Sequence, residues 1–92
     1  MGQGSRRRPQ PKLLAKKLKR LREVHEWTQL QMAEKLKNVP SPPDGAMISR
    51  FERGEREPSL FVLLAYGRIA GTPVDMFIDD RVSIESFTRA LT

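Results

Sequence analysis

Most of the side chains that could do chemistry in this chain are basic, and they are concentrated near the N-terminus. Nine of the seventeen Lys and Arg residues lie in residues 1–22, which contain no acidic residue. Residues 23–92 contain the other eight basic residues and all eleven acidic ones, so the net charge of +6 divides into +9 and −3. Basic charge polarised in this way is typical of a segment that binds a polyanion, although charge alone does not distinguish DNA, RNA and anionic lipid. The alternative interpretation is a tail that only increases solubility.

Catalytic chemistry has little support in the sequence. The chain has no cysteine, which excludes disulfides and thiolate zinc sites, and its one histidine, His25, lies near Glu23 and Glu26 as a solvated side chain would. No Ser/His/Asp set, phosphate-binding loop or carboxylate pair is present. The sequence therefore predicts a protein that is not an enzyme and needs no cofactor.

The size and the apolar pattern limit the architecture. A chain of 92 residues that is 38% hydrophobic has room for one small domain. No apolar run reaches the roughly 20 residues of a membrane span, and no apolar stretch follows the basic N-terminus as it would in a secretory signal. These features predict a cytoplasmic protein that does not contact a membrane.

Apolar spacing and capping residues predict five short helices in an all-α domain. The first predicted helix covers residues 12–24. Thr28 begins the second, over residues 29–37, where Gln31 completes a capping box. The expected inward positions of these two helices are Leu14, Leu18, Leu21, Leu30, Ala33 and Leu36.

The third, fourth and fifth helices are predicted from the residues that cap or terminate them. Asp44 is expected to cap a third helix over residues 45–53 that stops at Gly54, and Ser59 a fourth that stops at Gly71. Thr72 and Pro73 are expected to open a fifth. The expected inward positions are Ile48, Phe51, Leu60, Leu63, Leu64, Ile69, Val74, Phe77 and Ile78.

The chain divides into three predicted parts. Residues 1–11, rich in Gly, Pro and Arg, are expected to form a disordered basic arm. Residues 12–80 form the compact helical domain. Residues 81–92 are treated as a C-terminal tail, in which Val82, Ile84 and Phe87 fit either a strand or a last helical turn.

Five motifs occur in order along residues 13–79. They are Leu18-x-x-Leu21-Arg22, Trp27-Thr28-Gln29-x-x-Met32-Ala33, Ile48-Ser49-Arg50-x-Glu52-Arg53-Gly54, Pro58-Ser59 and Gly71-x-Pro73-Val74-Asp75-x-Phe77. The set resembles the Xre-type helix-turn-helix family, which is related to the Cro and lambda-repressor DNA-binding domains. The resemblance implies a lambda-repressor-like fold and a transcriptional regulator, in the first interpretation a repressor, of a bacterial or phage-type cell. It also implies a homodimer on double-stranded DNA.

The resemblance implies roles for individual residues. Helix 45–53 would enter the major groove, and the candidate base contacts are Gly45, Ala46, Met47, Ser49 and Arg50. Arg50 is the strongest of these candidates because its guanidinium can bond guanine O6 and N7 together. The candidate phosphate contacts are Thr28, Gln29, Arg53, Arg56, Arg6, Arg7 and Arg8. Arg22 and Glu52 are expected to form a structural ion pair.

One departure from the family keeps a second interpretation open. Ala33 and Ile48 are fifteen positions apart, which is about five more than the family usually has, and the extra residues lie in 37–45. The alternative function is a protein-interaction module, such as the antitoxin of a toxin–antitoxin pair, in which a protein partner would order residues 80–92.

Overall fold

Six α-helices form the part of the chain that the computed structural model describes, residues 10–91. In chain order they are α1 (Leu14–Val24), α2 (Gln29–Lys35), α3 (Gly45–Glu52), α4 (Leu60–Ala70), α5 (Val74–Ile78) and α6 (Ile84–Leu91). No strand occurs in residues 10–91, so the predicted all-α class is confirmed. The number of helices is corrected from five to six, because the segment that fitted either a strand or a helical turn forms α6. The predicted arm falls mostly on residues 1–9, which lie outside the described residues, as does Thr92.

Three helices begin at the side-chain caps that the sequence predicts. The Thr28 hydroxyl accepts the Gln31 N–H at 3.0 Å, and the Gln31 side chain accepts the Thr28 N–H at 2.8 Å, which completes the capping box. An Asp44 carboxylate oxygen accepts the Met47 N–H at 2.8 Å. Ser59 accepts the N–H of the third residue of α4 at 3.2 Å. These bonds satisfy backbone donors that no intrahelical carbonyl can reach.

Helices α3 and α4 end at the glycines that the sequence predicts, whereas α1 begins two residues later than expected, at Leu14, and α2 ends two residues earlier, at Lys35. Gly54 and Gly71 have φ values of +74° and +64°, the left-handed conformation that glycine adopts without a steric cost. The N-cap of α5 is Pro73 rather than Thr72, whose hydroxyl donates to the Ala70 carbonyl instead. Helix α5 therefore begins one residue later than expected.

The core lies where α1 meets α3, α5 and α6. Its buried apolar residues are Leu14, Leu18, Leu21, Met32, Ala33, Leu36, Ile48, Phe51, Val62, Leu63, Tyr66, Phe77 and Phe87. Four residues that were expected to point inward are exposed: Leu30, Leu60, Leu64 and Ile78. In α4 the buried stripe is Val62, Leu63, Tyr66 and Gly67. Nearly every residue of α4 is apolar, so spacing alone does not identify the face that it buries.

A buried lysine joins α1 to the C-terminal half of the domain. The Lys17 ammonium donates to the carbonyls of Met76 at 2.8 Å and Asp79 at 3.0 Å, and it lies 5.8 Å from the centre of the Phe87 ring. Burial lowers the pKa of Lys17, although the charges of Asp79 and Asp80 oppose that shift. Lys17 is one of the nine basic residues of 1–22, and its full burial means that it does not contribute to a basic surface.

The loop before α6 also fixes the start of α1. Both carboxylate oxygens of Asp80 accept backbone N–H groups, from Lys12 at 2.9 Å and from Leu13 at 3.0 Å. These bonds lower the pKa of Asp80. Within α6, Phe87 is fully buried and meets Phe77 edge-on with ring centres 4.9 Å apart. Residues 81–91 therefore contribute to the core. None of the six helices is long and apolar enough to cross a membrane.

Candidate nucleic-acid interface

The candidate site is built on α2 and α3, which pack against each other across the turn at residues 36–44. Ala33 of α2 and Ile48 and Phe51 of α3 are all buried. At the start of α3, a Cβ built on Gly45 would lie 3.9 Å from the backbone of Leu30, which is an ordinary contact. The first turn of α3 is therefore held close to α2, and its opposite face remains exposed.

An ion pair ties this helix pair to α1. Arg22 donates to both carboxylate oxygens of Glu52, at 2.7 and 2.9 Å, and also to the Trp27 carbonyl at 2.9 Å. The Gln29 side chain donates to Glu52 at 3.1 Å. The side chains of Arg22 and Glu52 are only 14% and 3% exposed, and the bond to Glu52 raises the pKa of Arg22. The expected pair is present, and its two-bond geometry fixes α3 relative to α1.

Tyr66 of α4 was not singled out from the sequence. Its ring is fully buried, and its hydroxyl is the one buried side-chain polar atom without a hydrogen-bond partner among residues 10–91. Burial raises the pKa of Tyr66, and the Glu52 carboxylate raises it further. Tyr66 is therefore a neutral packing residue. No sequence pattern separates it from its apolar neighbours in α4.

The five candidate base contacts differ in their exposure. Ala46 and Arg50 are exposed on the outer face of α3, whereas Gly45, Met47 and Ser49 are half-buried. Met47 also packs against the core. Arg50 makes no hydrogen bond or ion pair with the residues described here. Its guanidinium is therefore available on the exposed face.

Arg53, in contrast, is already engaged. It donates twice to the Glu55 carboxylate, at 3.0 and 3.1 Å, and once to the Ser49 hydroxyl at 2.8 Å. This pairing raises the pKa of Arg53 and lowers that of Glu55. The two candidate contacts Arg53 and Ser49 would have to exchange these bonds before they could contact a ligand.

The remaining candidate phosphate contacts lie in three places. Thr28 is exposed but occupied by the capping box, and Gln29 is half-buried against Glu52. Arg56 is exposed after α3, without an ion pair to any residue of the described range. Arg6, Arg7 and Arg8 lie outside the described residues.

The N-terminal segment begins beside the turn that follows α3. Gln10 and Pro11 line a cleft of about 240 Å³ together with Gly54 and Arg56. A basic segment that continues from Gln10 toward the N-terminus therefore starts next to the C-terminal end of α3. Nothing in the sequence pattern indicated this placement.

Neither a metal site in the described residues nor a comparison with known proteins identifies the function. Within residues 10–91, no group of three or more His, Asp and Glu residues could hold a metal ion. Comparison with protein-family models, with curated proteins and with solved structures finds no match to this chain. The functional argument therefore depends on the geometry of α2, α3 and their neighbours.

Proposed function

We propose that this protein binds double-stranded DNA sequence-specifically as a transcriptional regulator of the Xre-type helix-turn-helix class. The observation that carries the proposal is the exposed face of α3, with an unpaired Arg50 on a helix held by the Arg22–Glu52 pair and packed on α2. A helix with side chains is roughly 10–12 Å wide and fits a major groove of about 12 Å. Fixing such a helix before binding reduces the entropy lost on DNA.

The exposure of each candidate suggests its role. Arg50 would bond guanine O6 and N7, and Ala46 would contact a thymine methyl group. Arg56 would meet phosphates beyond the end of α3. The basic segment that leads into Gln10 would follow the DNA backbone or enter an adjacent minor groove from the same side.

Acidic residues near this face oppose DNA binding. Asp44 lies at the start of α3, and Glu55 and Glu57 follow its end. Because Glu55 also occupies Arg53, the α3 region contributes little net attraction to phosphate. Attraction of any duplex would therefore come mainly from residues 1–22, and discrimination between sequences from α3.

The direct test is selection from a random duplex pool at near-physiological salt, followed by sequencing. We expect an enriched inverted repeat with half-sites about one helical turn apart. A pool without enrichment would refute sequence-specific binding.

Two variants separate base reading from general attraction. Arg50→Ala should weaken the selected site by roughly 1–3 kcal/mol and random DNA much less, whereas Gln29→Ala should weaken both alike. The matched control is Arg68→Ala, which removes an exposed basic residue of α4. Equal losses on both duplexes with Arg50→Ala would show that Arg50 does not read sequence.

The proposed homodimer has a candidate surface on α4. Leu60, Phe61 and Leu64 are exposed on this helix, the first two at 77% and 61%. An apolar patch of this kind marks an interaction surface more often than an isolated side chain does. Phe61→Glu should shift sedimentation equilibrium toward the monomer and weaken binding to an inverted repeat. Unchanged self-association would exclude this surface.

The same patch is what favours the alternative, a protein-interaction module of the antitoxin type. Residues 80–92 do not favour it, since Phe87 is buried in the core without a partner chain. A monomeric protein that enriches no duplex would favour the alternative over DNA regulation.

A further inference from the structure

The Glu52 carboxylate of α3 accepts hydrogen bonds from two other helices. Arg22 of α1 donates two of them, at 2.7 and 2.9 Å, and the Gln29 side-chain nitrogen of α2 donates the third, at 3.1 Å. The Gln29 bond and one of the Arg22 bonds end on the same oxygen, Oε1. Gln29 is the first residue of α2. The start of α2 is therefore joined to α1 and α3 through one carboxylate.

The bond to Glu52 fixes the orientation of the Gln29 amide. A carboxylate has only acceptor atoms, so it attracts the NH₂ end of an amide and repels the oxygen end. The NH₂ group has two N–H donors, and Glu52 occupies one of them. Because Glu52 is only 3% exposed and Gln29 is half-buried, the second N–H is the donor that remains for a ligand at the surface.

The charge of Glu52 is balanced where it lies. Arg22 pairs with both carboxylate oxygens, and the same guanidinium donates to the Trp27 carbonyl, two residues before Gln29. Arg22 and Glu52 together carry no net charge. The pair can therefore hold an N–H donor in place without adding a net negative charge that would repel an anion.

We propose that Glu52 is a positioning residue for DNA binding, which orients the Gln29 amide so that its second N–H meets a DNA phosphate. The inference rests on the proposed function, in which Gln29 is a phosphate contact. Fixing one long side chain before binding raises affinity by about two- to ten-fold, because less entropy is lost in the complex. Since Glu52 belongs to α3, the phosphate contact and the base-reading helix are then held in one register.

The first test follows the side-chain amide signals of Gln29 in the unmodified, isotopically labelled protein during titration with a random duplex. Their absence in Gln29→Ala assigns these signals. In the free protein, one Nε2 proton should lie downfield, because it donates to a carboxylate. At saturation this proton should keep its shift, and the second Nε2 proton should move. The positioning role is overturned if no downfield proton is seen, if that proton loses its shift on DNA, or if the second proton does not move.

The second test separates positioning from a purely structural role. The double variant Arg22→Met/Glu52→Leu leaves no unpaired ion and removes the acceptor for Gln29. The affinity for a random duplex that is lost in Gln29→Ala should be at least about three-fold smaller in this background than in the parent chain. A pair that only stabilises the fold would leave the cost of Gln29→Ala unchanged, and this result would overturn the proposal. The matched control is Gln31→Ala, whose side chain bonds to the Thr28 N–H and whose effect should be the same in both backgrounds.

Failure of the proposed function gives a different result. A chain that binds random duplexes but enriches no sequence refutes sequence-specific regulation, and the two tests still decide whether Glu52 positions Gln29. A chain that binds no duplex refutes both proposals. Duplex binding with an equal cost of Gln29→Ala in the two backgrounds refutes the positioning role alone.

Discussion

Removal of the Glu52 carboxylate should destabilise this domain more than any change to a surface charge. In Glu52→Leu, Arg22 loses two bonds, of 2.7 and 2.9 Å, and retains only the one to the Trp27 carbonyl. Its guanidinium, 14% exposed, is then charged with little access to water. Removing one partner of a buried ion pair costs about 3–5 kcal/mol of folding stability. Because Arg22 is partly exposed, we expect a loss near the lower limit, about 3 kcal/mol. For a domain of this size that corresponds to a fall in melting temperature of roughly 12–24 °C.

The assay is urea denaturation followed by far-UV circular dichroism, on the parent, Glu52→Leu, Arg22→Met and the double variant. Replacing both charges with apolar side chains leaves no unpaired ion, so the double variant should lose less stability than the sum of the single losses, by about 1–3 kcal/mol. The matched control is Glu55→Gln, which breaks an exposed pair with Arg53 and should change the free energy of unfolding far less.

Two results would refute this reasoning. One is a loss of less than about 1 kcal/mol in Glu52→Leu, the range of an exposed pair. The other is exact additivity in the double variant, which would show that the two side chains are not coupled. Either result would mean that apolar packing alone sets the position of α3 relative to α1.

Three further changes test separate features of the structure. Asp80→Asn should lower the melting temperature at neutral pH, and the difference from the parent should shrink as pH falls below about 4. The pKa of the Asp80 carboxylate is lowered in the folded state. Its contribution to stability is therefore complete above the ordinary pKa of 3.8 and is lost as pH falls through the pKa of the folded state. Gly67→Ala should destabilise the domain by about 1–3 kcal/mol despite the better helix propensity of alanine, because the added Cβ would lie 2.9 Å from a backbone oxygen. Gly71→Ala should cost about 1 kcal/mol, because Gly71 has a φ of +64° although no atom lies within 4 Å of the added Cβ. Equal losses in urea denaturation would argue against the steric explanation for Gly67. Glu55→Gln should strengthen binding to duplexes of any sequence in a filter-binding assay, since it frees Arg53; weaker binding would show that Glu55 orients Arg53 for its contact.

Local signals made the helix boundaries predictable. Thr28, Asp44 and Ser59 each accept the backbone N–H of the residue three positions further along, a bond that depends only on neighbouring residues. Gly54 and Gly71 end their helices for an equally local reason, because they adopt positive φ. Predictions from such contacts need no knowledge of the tertiary fold.

Long-range contacts explain most of what the sequence did not predict. Lys17 is buried because the carbonyls of Met76 and Asp79, 59 and 62 positions away, accept its protons. In α4 the choice of buried face depends on where α5 packs, and the apolar composition offers two faces. At the site, the family resemblance led to the Arg22–Glu52 pair, but no motif indicated that Arg53 would be held by Glu55.

The structure changes how the basic charge near the N-terminus should be counted. Of the nine basic residues in 1–22, Lys17 is buried against carbonyls, Arg22 is paired with Glu52, and Arg20 donates to the Thr88 hydroxyl at 2.9 Å. The other six are Arg6, Arg7 and Arg8, which lie outside the described residues, Lys12, which precedes α1, and Lys16 and Lys19, which are exposed on α1. Arg50 is the one arginine of α3 and is exposed without a partner among the described residues, whereas Glu55 holds Arg53 just after the helix. Under the proposed function, general affinity and sequence discrimination would therefore reside in separate parts of the chain, so each could be changed without loss of the other.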